Sequence, residues 1–398
     1  IVGGEINDPS LLWIQQTNGD FEKSILPGDS TYEDREIALI DIENDGDLDI
    51  YIVSGGSLWP VNHPYYRDRI YLNDGQGHFE LNIDLTPSLF ESGSTVKPFD
   101  IDNDGDLDLF VGSYLTPKQY PLPPNSRILL NDNGKFIDAT AKYAPNLIEL
   151  GMVTDATWTD INKDGHSDLV IVGEWMPITL FENDGSGNLS NKTEEYGLNN
   201  TNGWYRSIHA SDLDNDGFVD LIAGNEGLNS YYKCSEQQPI EVFAKDFDNN
   251  GSVDPLITQY YGPDKHLTIF RDQIIQQSVA SKRKFKFYDT FGKTTFHEAY
   301  SAKELDGAYH RQVSNLASLI LKNDGGNTFV IQELPKEAQL APINAINTTD
   351  VNNDGFPDML IAGNSNAQES SRGNYDASYG LLLIYQPQTS LYEAIGSG

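Results

Sequence analysis

A nine-residue acidic pattern, Asp-x-(Asp/Asn/Glu)-x-(Asp/Asn)-Gly-x-x-Asp, recurs six times and constrains the fold more than any other feature of the chain. Its copies begin at Asp41, Asp100, Asp160, Asp212, Asp246 and Asp350. Each runs into a short apolar stretch that ends on Gly or another small residue, at 50–55, 109–112, 169–173, 221–224, 256–258 and 359–363. Several are followed by a second apolar stretch leading to an Asn/Asp/Gly turn, at 70–75, 128–134, 179–185 and 319–325. Asn and Gly there supply the positive φ that tight hairpins need. The unit reads strand, acidic loop, strand, hairpin, strand. That is about four strands in roughly 50–60 residues, the size of one propeller blade.

The spacing is uneven. The fifth copy follows the fourth after roughly 34 residues and the sixth lies roughly 104 further on, where a regular repeat would hold its period. We read 206–239 as a blade with a truncated outer half. We read approximately 272–315 as an insertion that opens helically on Arg271-Asp272-Gln273-Ile274-Ile275-Gln276-Gln277. Its run Lys282-Arg283-Lys284-Phe285-Lys286 is the chain's basic cluster, either the wet face of a helix or a dock for an acidic partner. Ile1-Val2-Gly3-Gly4 matches Ile171-Val172-Gly173-Glu174, so 1–30 reads as a partial blade whose inner strand is expected upstream. With no initiator Met and no leader, the sequence is taken as a mature or trimmed fragment. The expectation is an all-β, seven-bladed β-propeller forming one domain over 1–398, with a small helical insertion.

Carboxylates at positions 1, 3 and 5 of a loop converge on one cation only if the chain curls tightly, and the Gly at position 6 permits that. Position 7 offers its backbone carbonyl and position 9 a further carboxylate. The candidate metal ligands are therefore Asp41, Glu43, Asp45, Asp47 and Asp49; Asp100, Asp102, Asp104, Asp106 and Asp108; Asp160, Asn162, Asp164, His166 and Asp168. They continue with Asp212, Asp214, Asp216, Phe218 and Asp220; Asp246, Asp248, Asn250, Ser252 and Asp254; Asp350, Asn352, Asp354, Phe356 and Asp358. Hard oxygen donors select Ca²⁺ over zinc or copper, and Mg²⁺ gives up its water too reluctantly for such a cage. An EF-hand would need a Glu at position 12, where this chain has Ile52, Val111, Ile171, Ala223, Ile257 and Ile361. About six structural Ca²⁺ are expected. Solvated turns are the alternative for any single copy, and six copies at fixed internal spacing argue against it.

The charge agrees with cation binding. Sixty acidic and 26 basic residues leave a net charge of −34, which repels nucleic acid and anionic membrane. The chain is too rich in aromatics (11%) to be an acidic disordered tail. Cys234 is the single cysteine, so no internal disulfide forms. No apolar stretch approaches the roughly 18 residues of a membrane-spanning helix.

Catalytic signatures are missing. The seven histidines are dispersed, and neither a Gly-x-Ser-x-Gly elbow nor a P-loop occurs. Paired acids for glycoside hydrolysis stay open among so many carboxylates. Loops rich in aromatics and amides are the candidate ligand or partner contacts, with Trp59, Trp175, Trp204, Tyr205, Asn225, Tyr231, Arg372 and Tyr375 foremost. The alternative is that these side chains cap and pack the blades.

The acidic loops resemble those of the FG-GAP/VCBS repeat family, whose propellers carry Asp-x-Asp-x-Asp-Gly; integrin α-subunit heads are similar in kind. Further stretches extend the resemblance over essentially the whole chain, among them 151–155, 173–179, Gly224-Asn225-Glu226-Gly227-Leu228-Asn229-Ser230, 245–255 and 375–380. They look like the C-terminal propeller of long bacterial VCBS proteins that carry an ASPIC/UnbV domain and are similar to cartilage acidic protein. The resemblance implies an exported protein, extracellular or at the outer-membrane surface, with protein partners in a surface complex such as a TonB-dependent import system. The expected function is a non-catalytic, calcium-stabilised binding or scaffold propeller and not an enzyme. The alternatives are a carbohydrate-active hydrolase or lyase, and a glycan-binding lectin.

Overall fold

The apolar stretches after the acidic loops are rich in Val, Ile and Leu and too short for helices, so they form strands, four of which bury both faces. The computed structural model describes residues 1–28, 30–278, 281–365 and 373–395. Among these, seven antiparallel sheets account for most of the regular structure. The first is a hairpin of β1 (Leu11–Gln15) and β2 (Phe21–Ile25). The second holds β3 (Asp34–Ile40), β4 (Asp49–Ser54), β5 (Arg69–Asn73) and β6 (Phe79–Leu81) in chain order. The third holds β7 (Ser92–Phe99), β8 (Asp108–Leu115), β9 (Arg127–Asp132) and β10 (Lys135–Asp138), followed by the single turn α1 (Thr140–Tyr143). The fourth has β11 (Met152–Thr159), β12 (Asp168–Met176), β13 (Thr179–Asn183) and β14 (Leu189–Asn191), with β15 (Gly203–Trp204) also pairing to β12.

The fifth sheet departs from the repeat. It starts with β16 (Ser207–Ser211) and β17 (Asp220–Gly224). The chain then leaves to build the sixth sheet from β18 (Ile240–Lys245), β19 (Asp254–Tyr261), β20 (Asp264–Leu267) and β21 (Tyr309–Val313). Between β20 and β21 the described residues form five short helices: α2 (Arg271–Gln277), α3 (Ser281–Lys284), α4 (Tyr288–Lys293), α5 (Phe296–Ala299) and α6 (Ala302–Leu305). Only then do β22 (Leu319–Asn323) and β23 (Phe329–Glu333) return to complete the fifth sheet, with Leu221 opposite Leu321 and Ala223 opposite Leu319. The seventh sheet holds β24 (Ala345–Thr349), β25 (Asp358–Ala362), β26 (Leu381–Gln386) and β27 (Leu391–Ala394). The expectation of a truncated blade at 206–239 is thus corrected. That sheet has an outer half, and the sequence separates it from the inner half by an inserted sheet and its helices.

The sheets stand in a row. β3 packs beside β7, β7 beside β11, β11 beside β16 and β16 beside β24. From β4 to β17, alternate residues of the second strand join the apolar clusters on its two sides: Ile50 and Ile52 meet Leu12 and Leu26, whereas Tyr51 and Val53 meet Val96, Leu109 and Val111. The same alternation carries on through Phe110 with Ile171, Val170 with Leu221, and Ile222 with Met359. The inner strands are also laced by side chains. Glu36 accepts the Val96 N–H at 2.9 Å, and Asp155 accepts that of Ile208 at 2.9 Å. Lys97 joins the two acids, 2.7 Å from Glu36 and 2.9 Å from Asp155.

The row has bare ends. β4, β12 and β17 are buried on both faces for five or more residues, yet in β25 Leu360 is 53% exposed. At the other end Trp13, Phe21 and Ile25 of the hairpin face solvent. The sixth sheet lies beside the row, touching β12 and β15 through β21.

Candidate metal centres

Every acidic loop folds the same way, and local backbone chemistry explains why. The position-1 carboxylate accepts the N–H of Gly at position 6 at 2.7–3.1 Å, as Asp41, Asp100, Asp160, Asp212, Asp246 and Asp350 do. The position-5 side chain accepts the N–H of position 7, an Asx turn made by Asp45, Asp104, Asp164, Asp216, Asn250 and Asp354. Gly46, Gly105, Gly165, Gly217, Gly251 and Gly355 take φ between 85° and 100°, which a side chain would resist. Position 4 is also left-handed, with φ of 55–61°: Asn44, Asn103, Lys163, Asn215, Asn249 and Asn353. Asn tolerates that region best among residues with a side chain. The sequence carries this signal as Asn in five of the six copies.

The Asp at position 9 is buried in every copy, at 0–2% exposure. One oxygen accepts the N–H of position 2, from Ile42, Ile101, Ile161, Leu213, Phe247 or Val351. In five copies the other accepts an N–H from the third strand of the sheet, from Asn73, Asn131, Asn183, Asn323 or Tyr385. Position 9 therefore ties the loop to two strands while keeping lone pairs for a cation. Burial pushes Asp108, Asp168 and Asp220 up to about 6, against the pull of those N–H donors.

Three loops gather carboxylates tightly enough for a cation: Asp100, Asp102 and Asp108; Asp212, Asp214 and Asp220; Asp246, Asp248 and Asp254, with ligand atoms within 4.8 Å of one another in each. These are positions 1, 3 and 9. Burial raises Asp102, helped by the charges of Asp104 and Asp100. Asp246, by contrast, is lowered by the backbone N–H of Gly251. One oxygen each of Asp102, Asp212, Asp214 and Asp248 is buried without a hydrogen-bond partner, and all four belong to the triads. Such orphaned acceptors suit a hard dication. In the Asp160 and Asp350 loops position 3 is amide, and Asn162 and Asn352 each bond Asp164 or Asp354 at 3.0 Å. In the Asp41 loop burial and four neighbouring Asp charges raise Glu43.

Along the row of sheets, the position-4 side chain reaches from one loop to the next sheet. Asn44 donates to Asp106 and Asn103 to the Gly185 carbonyl. Lys163 lies 3.8 Å over the Phe218 ring, and Asn215 donates to the Gly355 carbonyl at 2.7 Å.

The aromatic and amide candidates divide differently. Trp175 (2% exposed), Trp204 (8%), Tyr205 (0%) and Asn225 (0%) are interior, so a surface ligand role does not fit them. Trp175 donates to the Tyr120 hydroxyl at 2.7 Å, and Asn225 bonds the Asn315 and Ala317 carbonyls and accepts from Trp204. Tyr375 is buried and accepts from Tyr231 N–H at 2.9 Å. Trp59 is half-buried and stacked on His63 at 4.6 Å, and Tyr231 is exposed with its hydroxyl 2.7 Å from that of Tyr261. Arg372 lies outside the described residues.

Comparison with known proteins follows the loops. The FG-GAP-like repeat family matches residues 58–111 and 160–223, which contain the Asp100, Asp160 and Asp212 loops. None of the curated proteins matches the chain in sequence. Among solved structures it is similar to exotype rhamnogalacturonan lyase YesX, at 12% identity and a TM-score of 0.34, over 97% of this chain and 68% of that one. Bacillus licheniformis rhamnogalacturonan lyase PL11 shares 12% identity at a TM-score of 0.32, over 97% and 66%. The V. cholerae biofilm matrix protein Bap1 shares 12% at 0.31, over 98% and 72%. Likeness at that level transfers no activity. What the repeat match and the loops it spans establish is that this chain carries FG-GAP-like repeats.

Proposed function

We propose that the chain is a calcium-stabilised, non-catalytic binding scaffold. The observation that carries this reading is the set of buried, partnerless oxygens on Asp102, Asp212, Asp214 and Asp248, each inside a carboxylate triad. A buried anionic oxygen without a partner is costly, and a dication in the cage satisfies it. The row of sheets supports a propeller of one domain, closing where the bare faces of β25 and the hairpin lie, with the sixth sheet and its helices inserted into the fifth. Calcium then acts as a rivet between strands and performs no chemistry. An exported location and protein partners in a surface complex follow from this reading, because millimolar calcium is found outside cells. Elemental analysis after dialysis against calcium should return at least three ions per chain, one per triad. Less than one would sink the proposal.

One observation favours glycan binding as a second reading. A groove of about 410 Å³ is lined by Asn200, Thr201, Asn315 and two carboxylates, Glu236 and Glu333. That volume suits a small ligand, and amides with acids suit hydroxyls. Binding on a glycan array, lost on Asn200→Ala, would support it; an array without signal would dismiss it.

A further inference from the structure

The helical insertion runs against the charge of the rest of the molecule. The chain carries −34, yet Lys282, Arg283 and Lys286 sit exposed on one short stretch. Their neighbours are neutralised: Lys284 pairs with Glu304 at 2.9 Å, Lys293 with Asp289 at 2.7 Å and Arg271 with Asp272 at 2.9 Å. Among the described residues Lys282, Arg283 and Lys286 meet no carboxylate. In a protein with more than twice as many acids as bases, three unpaired cations side by side need another explanation than solubility.

Aromatic rings surround them. Arg271 donates to the carbonyls of Phe285 at 2.8 Å and Lys286 at 2.9 Å, which pins this stretch against α2. Its guanidinium lies 4.5 Å over the Tyr288 ring. Phe270, Phe287 and Tyr288 are left 46%, 60% and 65% exposed. Lack of a core does not account for this, because Ile274, Phe285 and Phe296 fill one beneath them. Against that core, a cleft of about 220 Å³ opens between β20 and the helices, walled by Tyr261, His266, Leu267, Phe285, Phe291 and Thr294. It is smaller than the roughly 300 Å³ at which small-molecule sites begin, and has room for one apolar side chain.

Ionic screening selects among anionic partners. At physiological salt, fields decay over roughly 8 Å, so the patch attracts only what sits directly on it. A membrane or a long polyanion would also be pressed against the acidic remainder of the surface and repelled. A short acidic segment avoids that penalty. We propose that the insertion docks a short acidic segment of a partner protein, held by Lys282, Arg283 and Lys286 and anchored by one apolar side chain in the cleft. This rests on the reading of the chain as a binding scaffold, but not on the calcium that stabilises it.

The test uses the intact chain in calcium and an array of labelled acidic peptides of about 12 residues, each carrying Leu, Phe, Trp or Gly at its centre. At least one apolar-centred peptide should bind about tenfold tighter than its Gly counterpart, a difference of about 1.4 kcal/mol. Added salt should weaken it. Lys282→Glu, Arg283→Glu and Lys286→Glu together should abolish binding while leaving the melting temperature unchanged, and Phe287→Ala should weaken it separately. Absence of binding by every peptide overturns the proposal. So does equal or tighter binding of phosphatidylserine vesicles or polygalacturonate. Either failure would leave the calcium stoichiometry, and with it the scaffold reading, untouched.

Discussion

Removal of calcium is the perturbation that most directly tests the proposed role of the loops. Two carboxylates within 4.8 Å of each other repel by at least about 1 kcal/mol in water and about 3.5 kcal/mol at an effective dielectric of 20. Each triad contains three such pairs. Bound calcium reverses this, and for extracellular-type sites with Kd of about 0.1–1 mM, about 5 mM calcium stabilises each site by about 1–2 kcal/mol. Three triads then contribute about 3–7 kcal/mol. With an unfolding entropy of about 2 cal/mol/K per residue, a chain of 398 residues should melt about 4–8 °C higher in calcium than in EDTA. Asp102→Asn sharpens the test. Asn already stands at position 3 in Asn162 and Asn352, so the backbone tolerates it. In EDTA the variant should melt above the parent, because one charge has left the triad. In calcium it should melt below the parent, because one ligand is gone. Scanning calorimetry in the two buffers measures both. A calcium shift under about 1 °C, or an Asp102→Asn variant less stable than the parent in EDTA, would refute the account of the loops as ion cages.

Two further outcomes are expected. In EDTA, stability should fall as pH rises from about 4 to about 7, because burial raises the folded-state values of Asp108, Asp168 and Asp220 to about 6 and of Asp68 to about 7, above the unfolded carboxylate range. The stabilisation from each such group is complete below its unfolded value and lost once pH passes the folded one. Asp68 accepts from the Tyr51 hydroxyl at 2.8 Å and the Ser54 N–H at 2.9 Å, so Asp68→Asn should remove the upper part of that slope, and an unchanged slope in denaturant titrations would discard its role. Gly105→Ala should cost about 1–2 kcal/mol from backbone strain alone, since φ there is 100° and a Cβ would meet no atom, and Gly105→Asn should cost less. Equal losses for Ala and Asn in equilibrium unfolding would show that something other than φ is at stake.

The acidic loops were legible in the sequence because their geometry is local. In each loop position 6 bonds position 1 and position 7 bonds position 5, never across more than five residues, so the same letters give the same turn wherever they occur. The doubly buried strands were legible for a related reason: a run such as that of β12 has no polar face to offer water. Neither inference needs to know which sheet lies next door.

Everything that depends on a neighbour was decided by the tertiary structure. The fifth sheet takes its outer strands from beyond the inserted sixth, since Leu221 and Leu321 share one apolar cluster although about a hundred residues separate them, and chain closure over such a loop costs little more than over a short one. Trp175, Trp204 and Asn225 looked like surface recognition residues by type; the packing of β21 against β12 and β15 turned the two Trp inward, and the carbonyls of Asn315 and Ala317 hold Asn225 inside. The apolar run of β25 reads like that of β17, yet Leu360 is bare where Ile222 is buried, because burial belongs to the pair of faces in contact and not to the strand. Sequence by itself determined the loops, the strands they join and the chemistry they can hold. The structure alone decided how those strands combine and which surfaces are left for a partner, because those choices rest on contacts between residues far apart in the chain.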